Sequence, residues 1–184
     1  MTHGPDNPFH RLLATKYKRE EEALGIEILD AHPELAMLEW PGPDEQGQPF
    51  VRGSTALHYA ANDGKDALVA RLLDLGADVN ASNADWYRSV LAWAANNARL
   101  LTIGLLLDRG ADPKSMDAMH AAAWGGSRCG EGYEQRYADA LRLLVEAGAD
   151  HNDKRYHDST PLGFALQSGN RGAIDYLRSI GAAE

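Results

Sequence analysis

The chain has one cysteine, Cys129, so an internal disulfide is excluded. No apolar run approaches the length needed to span a bilayer. Nothing near Met1 has the apolar core of a signal peptide, because Thr2 to Asn7 are polar, Gly or Pro. A cytoplasmic protein is therefore expected. Basic residues are also in short supply, with 18 Lys and Arg against 27 Asp and Glu and a formal charge of -9. That deficit argues against nucleic acid and against an anionic membrane surface, and favours a neutral or basic partner. The bias is strongest at the start, where residues 1–50 hold ten acidic side chains against Arg11, Lys16, Lys18 and Arg19. The chain lacks a Gly-rich phosphate loop ahead of a helix, a Gly-x-Ser-x-Gly elbow, a paired Cys-x-x-Cys and a His-Glu-x-x-His. Neither a cofactor nor a metal is expected.

What the chain does have is a recurring phrase. Gly76-Ala77-Asp78, Gly110-Ala111-Asp112 and Gly148-Ala149-Asp150 each follow an apolar helical run, and Gly181-Ala182-Ala183 is a worn fourth copy. The first two glycines lie 34 residues apart and the last two 33, which is the signature of a tandem array. Stacked units make long surfaces more readily than enclosed pockets.

A second phrase precedes each of these: Thr55-Ala56-Leu57-His58-Tyr59-Ala60-Ala61, Ser89-Val90-Leu91-Ala92-Trp93-Ala94-Ala95, Asp117-Ala118-Met119-His120-Ala121-Ala122-Ala123 and Thr160-Pro161-Leu162-Gly163-Phe164-Ala165-Leu166. In three units it opens 21 residues before the closing glycine. The hydroxyls of Thr55, Ser89 and Thr160 suit a helix N-cap, and Pro161 suits the first helical position. Paired alanines let the first helix approach its neighbour, while Leu68, Val69, Leu72 and Leu73 form an apolar stripe on the second. The glycines fit the left-handed residue that ends a helix. The wording and spacing of both phrases resemble the ankyrin repeat and its Thr-Pro-Leu-His-x-Ala motif. The resemblance implies an all-α repeat solenoid of stacked antiparallel helix pairs with short β-hairpin loops.

On this reading residues 1–50 form an N-terminal capping helix pair followed by a Pro/Gly-rich loop, Pro41 to Pro49. Residues 51–184 form four repeats continuous with the cap as a single domain. Two irregularities adjoin each other. Gly110 to Asp117 is only seven steps, against 13 and 12 at the other junctions, which predicts a finger cut to a tight turn around Pro113. Asp117 to Gly148 is 31 steps instead of 21, which places a ten-residue insertion near 127–136, between the two helices, and predicts a mobile solvent loop there.

The resemblance implies a concave binding side made from the fingers and the exposed face of each first helix. The position after the motif histidine is Tyr59, Trp93, Ala121 and Phe164, and three residues on come Asn62, Asn96, Trp124 and Gln167. The fingers add Trp86, Tyr87 and Arg88, then Arg155, Tyr156 and His157. Aromatic and amide residues on a solvent-facing stripe suit protein recognition. The candidate contacts are Tyr59, Asn62, Trp86, Tyr87, Arg88, Trp93, Asn96, Trp124, Tyr156 and Phe164. A competing reading has Trp93 and Phe164 packing between units. The expected activity is non-catalytic binding of another protein by a monomeric scaffold. The rival is a small-molecule binder or enzyme at the 127–136 insertion, with Asp117, His120, Trp124, Cys129 and Tyr133 nearest the chemistry. His58 and His120 fill the motif histidine, a structural hydrogen-bonding residue in repeats of this kind.

Overall fold

In the computed structural model, residues 7–15, 21–42, 50–84, 89–115, 117–125 and 132–184 are described. Among these residues ten α-helices form antiparallel pairs: α1 Pro8–Ala14 with α2 Glu22–Ala31, α3 Ala56–Asp63 with α4 Asp66–Asp74, α5 Val90–Asn96 with α6 Leu100–Asp108, α7 Ala118–Trp124 with α8 Glu134–Glu146, and α9 Pro161–Ser168 with α10 Arg171–Ser179. The first helices α3, α5, α7 and α9 stack in one layer, and α2, α4, α6, α8 and α10 stack in a second. A short 3-10 helix, Pro33–Met37, follows the His32-Pro33 interruption.

The alanine pairs explain the first layer. Ala60, Ala61, Ala94, Ala95, Ala122 and Ala123 are almost fully buried, so successive helices meet through methyl groups. Leu68, Val69 and Leu72 on α4, Ile103 and Leu106 on α6, and Leu141 and Leu144 on α8 fill the space between layers. Each such leucine is removed from water by its neighbours in the stack, which stabilises the array by about 1.5–3 kcal/mol per side chain.

The Gly-Ala-Asp phrase has a separate physical job for each residue. Gly76, Gly110, Gly148 and Gly181 take φ of 90°, 90°, 101° and 77°, the left-handed region. The next N–H then bonds back to the helix: Ala77 to Leu72, Ala111 to Leu106, Ala149 to Leu144 and Ala182 to Leu177, at 2.9–3.0 Å. This is the glycine-dependent helix stop. The aspartate opens an Asx turn, its Oδ1 accepting from Asn80, Lys114 or Asn152 N–H at 2.8–2.9 Å. Asn80 and Asn152 in turn accept from Asp112 and Ala183 N–H of the next unit. Lys114 carries no such acceptor, and Arg155 instead reaches its carbonyl.

Helix starts follow the hydroxyls. Ser89 Oγ accepts from Ala92 N–H at 3.1 Å and Thr160 Oγ1 from Gly163 N–H at 3.0 Å. Thr55 and His58 form a capping box, in which Thr55 N–H donates to His58 Nδ1 at 3.1 Å. The hairpin fingers are slight, reduced among the described residues to single antiparallel bridges, Glu39 with Thr55 and Ser82 with Ser89. The third is a turn in which Ser115 N–H donates to Asp112 O, the tight turn around Pro113 that the short spacing predicts. Arg71–Asp30 and Arg109–Asp74 ion pairs repeat the same link between units, though both are well exposed and add little. Lys65 is buried, and its ammonium donates to the Thr15 carbonyl at the end of α1.

At its last residues, 134–136, the insertion departs from the loop expected. Helix α8 has 13 residues where α4, α6 and α10 have nine, so Glu134, Gln135 and Arg136 belong to an added helical turn. Its Tyr137 is buried and donates to Asn96 O at 3.2 Å. Two glycines make room for it. A Cβ on Gly125 would collide with Asn96 O and the Tyr137 ring, and one on Gly172 would collide with the Glu134 carbonyl. Residues 127–131 of the insertion, with Cys129, lie outside the described residues.

Candidate functional site

Three of the residues at the position after the motif histidine, Tyr59, Trp93 and Phe164, fall in two aromatic groups along the first-helix layer. The first is a row of rings: Phe9 to Trp40 at 6.4 Å, Trp40 to Phe50 at 5.1 Å, Phe50 to Tyr59 at 5.4 Å and Tyr59 to Trp93 at 5.1 Å. The contacts are edge-on or tilted, the preferred arrangement for aromatic quadrupoles. The repeat pattern puts Tyr59 on a solvent-facing stripe, but it is only 6% exposed. Its hydroxyl accepts from Val51 N–H at 2.8 Å, so it joins the capping segment to the first unit. Trp93 is half-buried at the end of the row, with its ring 5.3 Å from His58.

The second group surrounds His120, which is fully buried with Nε2 at 2.8 Å from Ser159 O. Its ring lies 5.2 Å from Tyr156 and 5.0 Å from Phe164, while Trp124 stands 5.8 Å from Phe164. Tyr156 also departs from the exposed position expected, at 8% exposure. Phe164 is half-buried, and Trp124 is the open member at 39% exposure. Beside them His157 and Asp158 take φ of +54° and +50°, in a turn closed by Ser159 N–H donating to Tyr156 O. Two left-handed non-glycine residues in succession are strained, and the His157 ring packs on Tyr156 at 4.5 Å. In the same finger, the hydrogen bond from Arg155 holds the Asp153 carboxyl below its ordinary range.

The two amides are half-buried. The Asn62 side chain donates to Asp63 and accepts from Asn97 Nδ2 at 2.8 Å, and the backbone carbonyl of Asn96 accepts from the Tyr137 hydroxyl. Trp86, Tyr87 and Arg88 lie outside the described residues. Trp40 and Phe50 escape a reading of the sequence because they sit in the capping segment, where no period marks them as partners of Tyr59.

Of the residues of the rival chemistry, Asp117 accepts from Ser89, His120 is engaged with Ser159 O in the same aromatic group as Trp124, Tyr133 is 48% exposed, and Cys129 lies outside the described residues. Among the described residues no group of three His, Cys, Asp or Glu is placed to hold a metal. Two clefts flank the added turn, of about 470 Å³ and 380 Å³, and both are open to solvent.

A family model described as ankyrin repeats, three copies, matches residues 34–117 and 57–155. The chain belongs to the ankyrin-repeat family. No curated protein matches it. Ankyrin repeats are generally protein–protein interaction modules and are typically non-catalytic. The helix pairs make this chain an all-α ankyrin array, and none of its described helices is long and apolar enough to cross a membrane.

Proposed function

We propose that this ankyrin array is a non-catalytic scaffold that binds a partner protein along its first-helix and finger side. The cap and four units act as a single domain, and Trp93, Trp124 and Phe164 meet the partner. Asn62, Asn96 and the finger residues Trp86, Tyr87 and Arg88 complete the surface. Tyr59 and Tyr156 support it from beneath. The observation that carries this reading is Trp124, a large aromatic 39% exposed beside the half-buried Phe164. A tryptophan in that setting offers broad contact area while losing little conformational entropy on binding. The charge of -9 favours a neutral or basic partner. The free protein is taken to be a cytoplasmic monomer, and light scattering after size exclusion checks the monomer.

Affinity capture from the native cell extract tests the surface, with wild-type protein and Trp124→Ala immobilised in parallel. Truncating an aromatic anchor costs about 2 kcal/mol or more, roughly thirtyfold in affinity, so the partner band should vanish with the variant. The variant should keep its melting curve. Equal capture by both proteins would remove Trp124 from the interface and the groove reading with it.

A further inference from the structure

The added turn of α8 builds something besides packing. Arg136 projects from it toward the second unit, where its guanidinium reaches Ala98 O at 3.5 Å. Arg99 approaches from the other side, its Nε donating to Asn62 O at 3.0 Å while its stem lies on Gly64. Between them opens the cleft of about 380 Å³, which runs past the N-terminal ends of α4 and α6 and touches three successive units. Leu101 stands in its wall at 78% exposure, the most exposed large hydrophobic side chain among the described residues.

Among the described residues Arg99 and Arg136, like Arg11, Arg52 and Arg171, form no ion pair. Acidic groups outnumber basic ones, and Arg71, Arg109, Arg142, Arg155 and Arg178 all pair with carboxylates. Among the described residues, Arg99 and Arg136 have only backbone carbonyls and, for Arg136, the Tyr133 ring. The one carboxylate lining the cleft, Asp66, accepts from the Thr102 hydroxyl. A guanidinium prefers a carboxylate, with its planar match to two N–H donors, over a single carbonyl. The backbone is also held under strain at this spot. Ala98 is buried at φ +46°, where the first and fourth units have Gly64 and Gly169.

We propose that this cleft is a docking site for an acidic peptide segment carrying an aliphatic residue. Carboxylates of the segment meet Arg99 and Arg136, and its aliphatic side chain covers Leu101. The surface lies at the ends of the second helices, apart from the aromatic groups, and so takes a partner of opposite character to the one proposed for the groove. The ten-residue insertion is then the part of the chain that supplies half of the site's charge.

Fluorescence anisotropy with three labelled synthetic peptides tests this on the full chain: Gly-Glu-Glu-Leu-Leu-Glu-Glu-Gly, the same with Gln for Glu, and the same with Gly for Leu. The first should bind and the other two should bind clearly more weakly. Arg136→Gln, Arg99→Gln and Leu101→Asn should each weaken the first peptide about three- to fivefold, as exposed ion pairs and single side-chain contacts do. Trp124→Ala should bind it as wild type, which separates failure of this site from failure of the groove. Arg99→Gln also removes support from the first unit, so the exposed Arg136→Gln is the decisive variant if the former fails to fold. Equal binding of the Glu and Gln peptides, or full binding by Arg136→Gln, would overturn the proposal. Displacement of the peptide by inorganic phosphate with no effect of Leu101→Asn would reduce the cleft to a simple anion site and overturn it as well.

Discussion

Asp117 holds Ser89 with both carboxylate oxygens, Oδ2 accepting from the Ser89 N–H at 2.9 Å and Oδ1 from its hydroxyl at 2.8 Å. The two residues open the first helices of adjacent units, and Ser89 simultaneously caps α5 through Ala92 N–H. Asp117 is 4% exposed, and it does not cap its own helix. The shortened finger is what makes this possible. With seven steps from Gly110, the chain turns directly into α7 and its first carboxylate faces the preceding unit. Asp117→Ala should therefore cost about 1–3 kcal/mol, because it leaves part-buried donors without an acceptor. Asp117→Asn should cost less, since one oxygen remains. Urea denaturation of the three proteins checks the order, and an unchanged midpoint for Asp117→Ala would show that the junction does not need the clamp.

Tyr59 and Trp124 should respond in opposite ways. Tyr59 is sandwiched between Phe50 and Trp93, so Tyr59→Ala should lose about 3–5 kcal/mol, as buried aromatic truncations do. Tyr59→Phe isolates the hydroxyl and should cost about 1 kcal/mol by stranding Val51 N–H. Trp124→Ala touches only the open edge of the second group and should move the melting temperature little. A Tyr59→Ala protein as stable as wild type would return Tyr59 to the surface.

The repeat register was legible because its determinants are local. A glycine that must be left-handed, a buried alanine and a turn-opening aspartate recur at Gly76, Gly110 and Gly148 whatever the neighbours do. Burial at Tyr59 and Tyr156 was not legible, because it depends on partners from elsewhere in the chain. Trp40 and Phe50 come from a segment without periodicity, and Tyr156 is covered by His120 and Phe164 from two other elements. The added turn of α8 did leave a signal. Tyr137, Leu141 and Leu144 continue one stripe at spacings of four and three, while Gly130 and Gly132 point to a loop instead. The Arg99–Arg136 cleft had none, since their approach requires the insertion to be helical.

Two glycine replacements should have opposite signs. Gly172→Ala places a methyl against the Glu134 carbonyl, so α10 and the added turn must separate, at about 1–3 kcal/mol for an overpacked contact. Gly104 lies inside α6 with open space where a Cβ would stand and no left-handed φ, so Gly104→Ala should stabilise by about 0.5–1 kcal/mol. Thermal melts of both variants decide. Stability unchanged by Gly172→Ala would mean that α8 does not begin at Glu134.

Lys65 provides a pH signature of the joint between α1 and the first unit. Burial lowers its pKa from the ordinary 10.5, against the opposing fields of Asp63, Glu21 and Glu22. Between the lowered folded value and 10.5, the unfolded chain holds a proton at this amine more often than the folded chain does. Unfolding free energy from this group therefore rises with pH across that window and is flat below it. Other lysines and tyrosines titrate in the same range, so the useful quantity is the difference between wild type and Lys65→Met. That difference should shift in favour of wild type as pH climbs toward 10.5, because the penalty of burying the ammonium is relieved only in the wild-type protein. Denaturation at stepped pH from neutrality upward measures it. A difference that stays constant, or moves toward the methionine variant, would show that the ammonium is not desolvated and that the contact with Thr15 O lies in water.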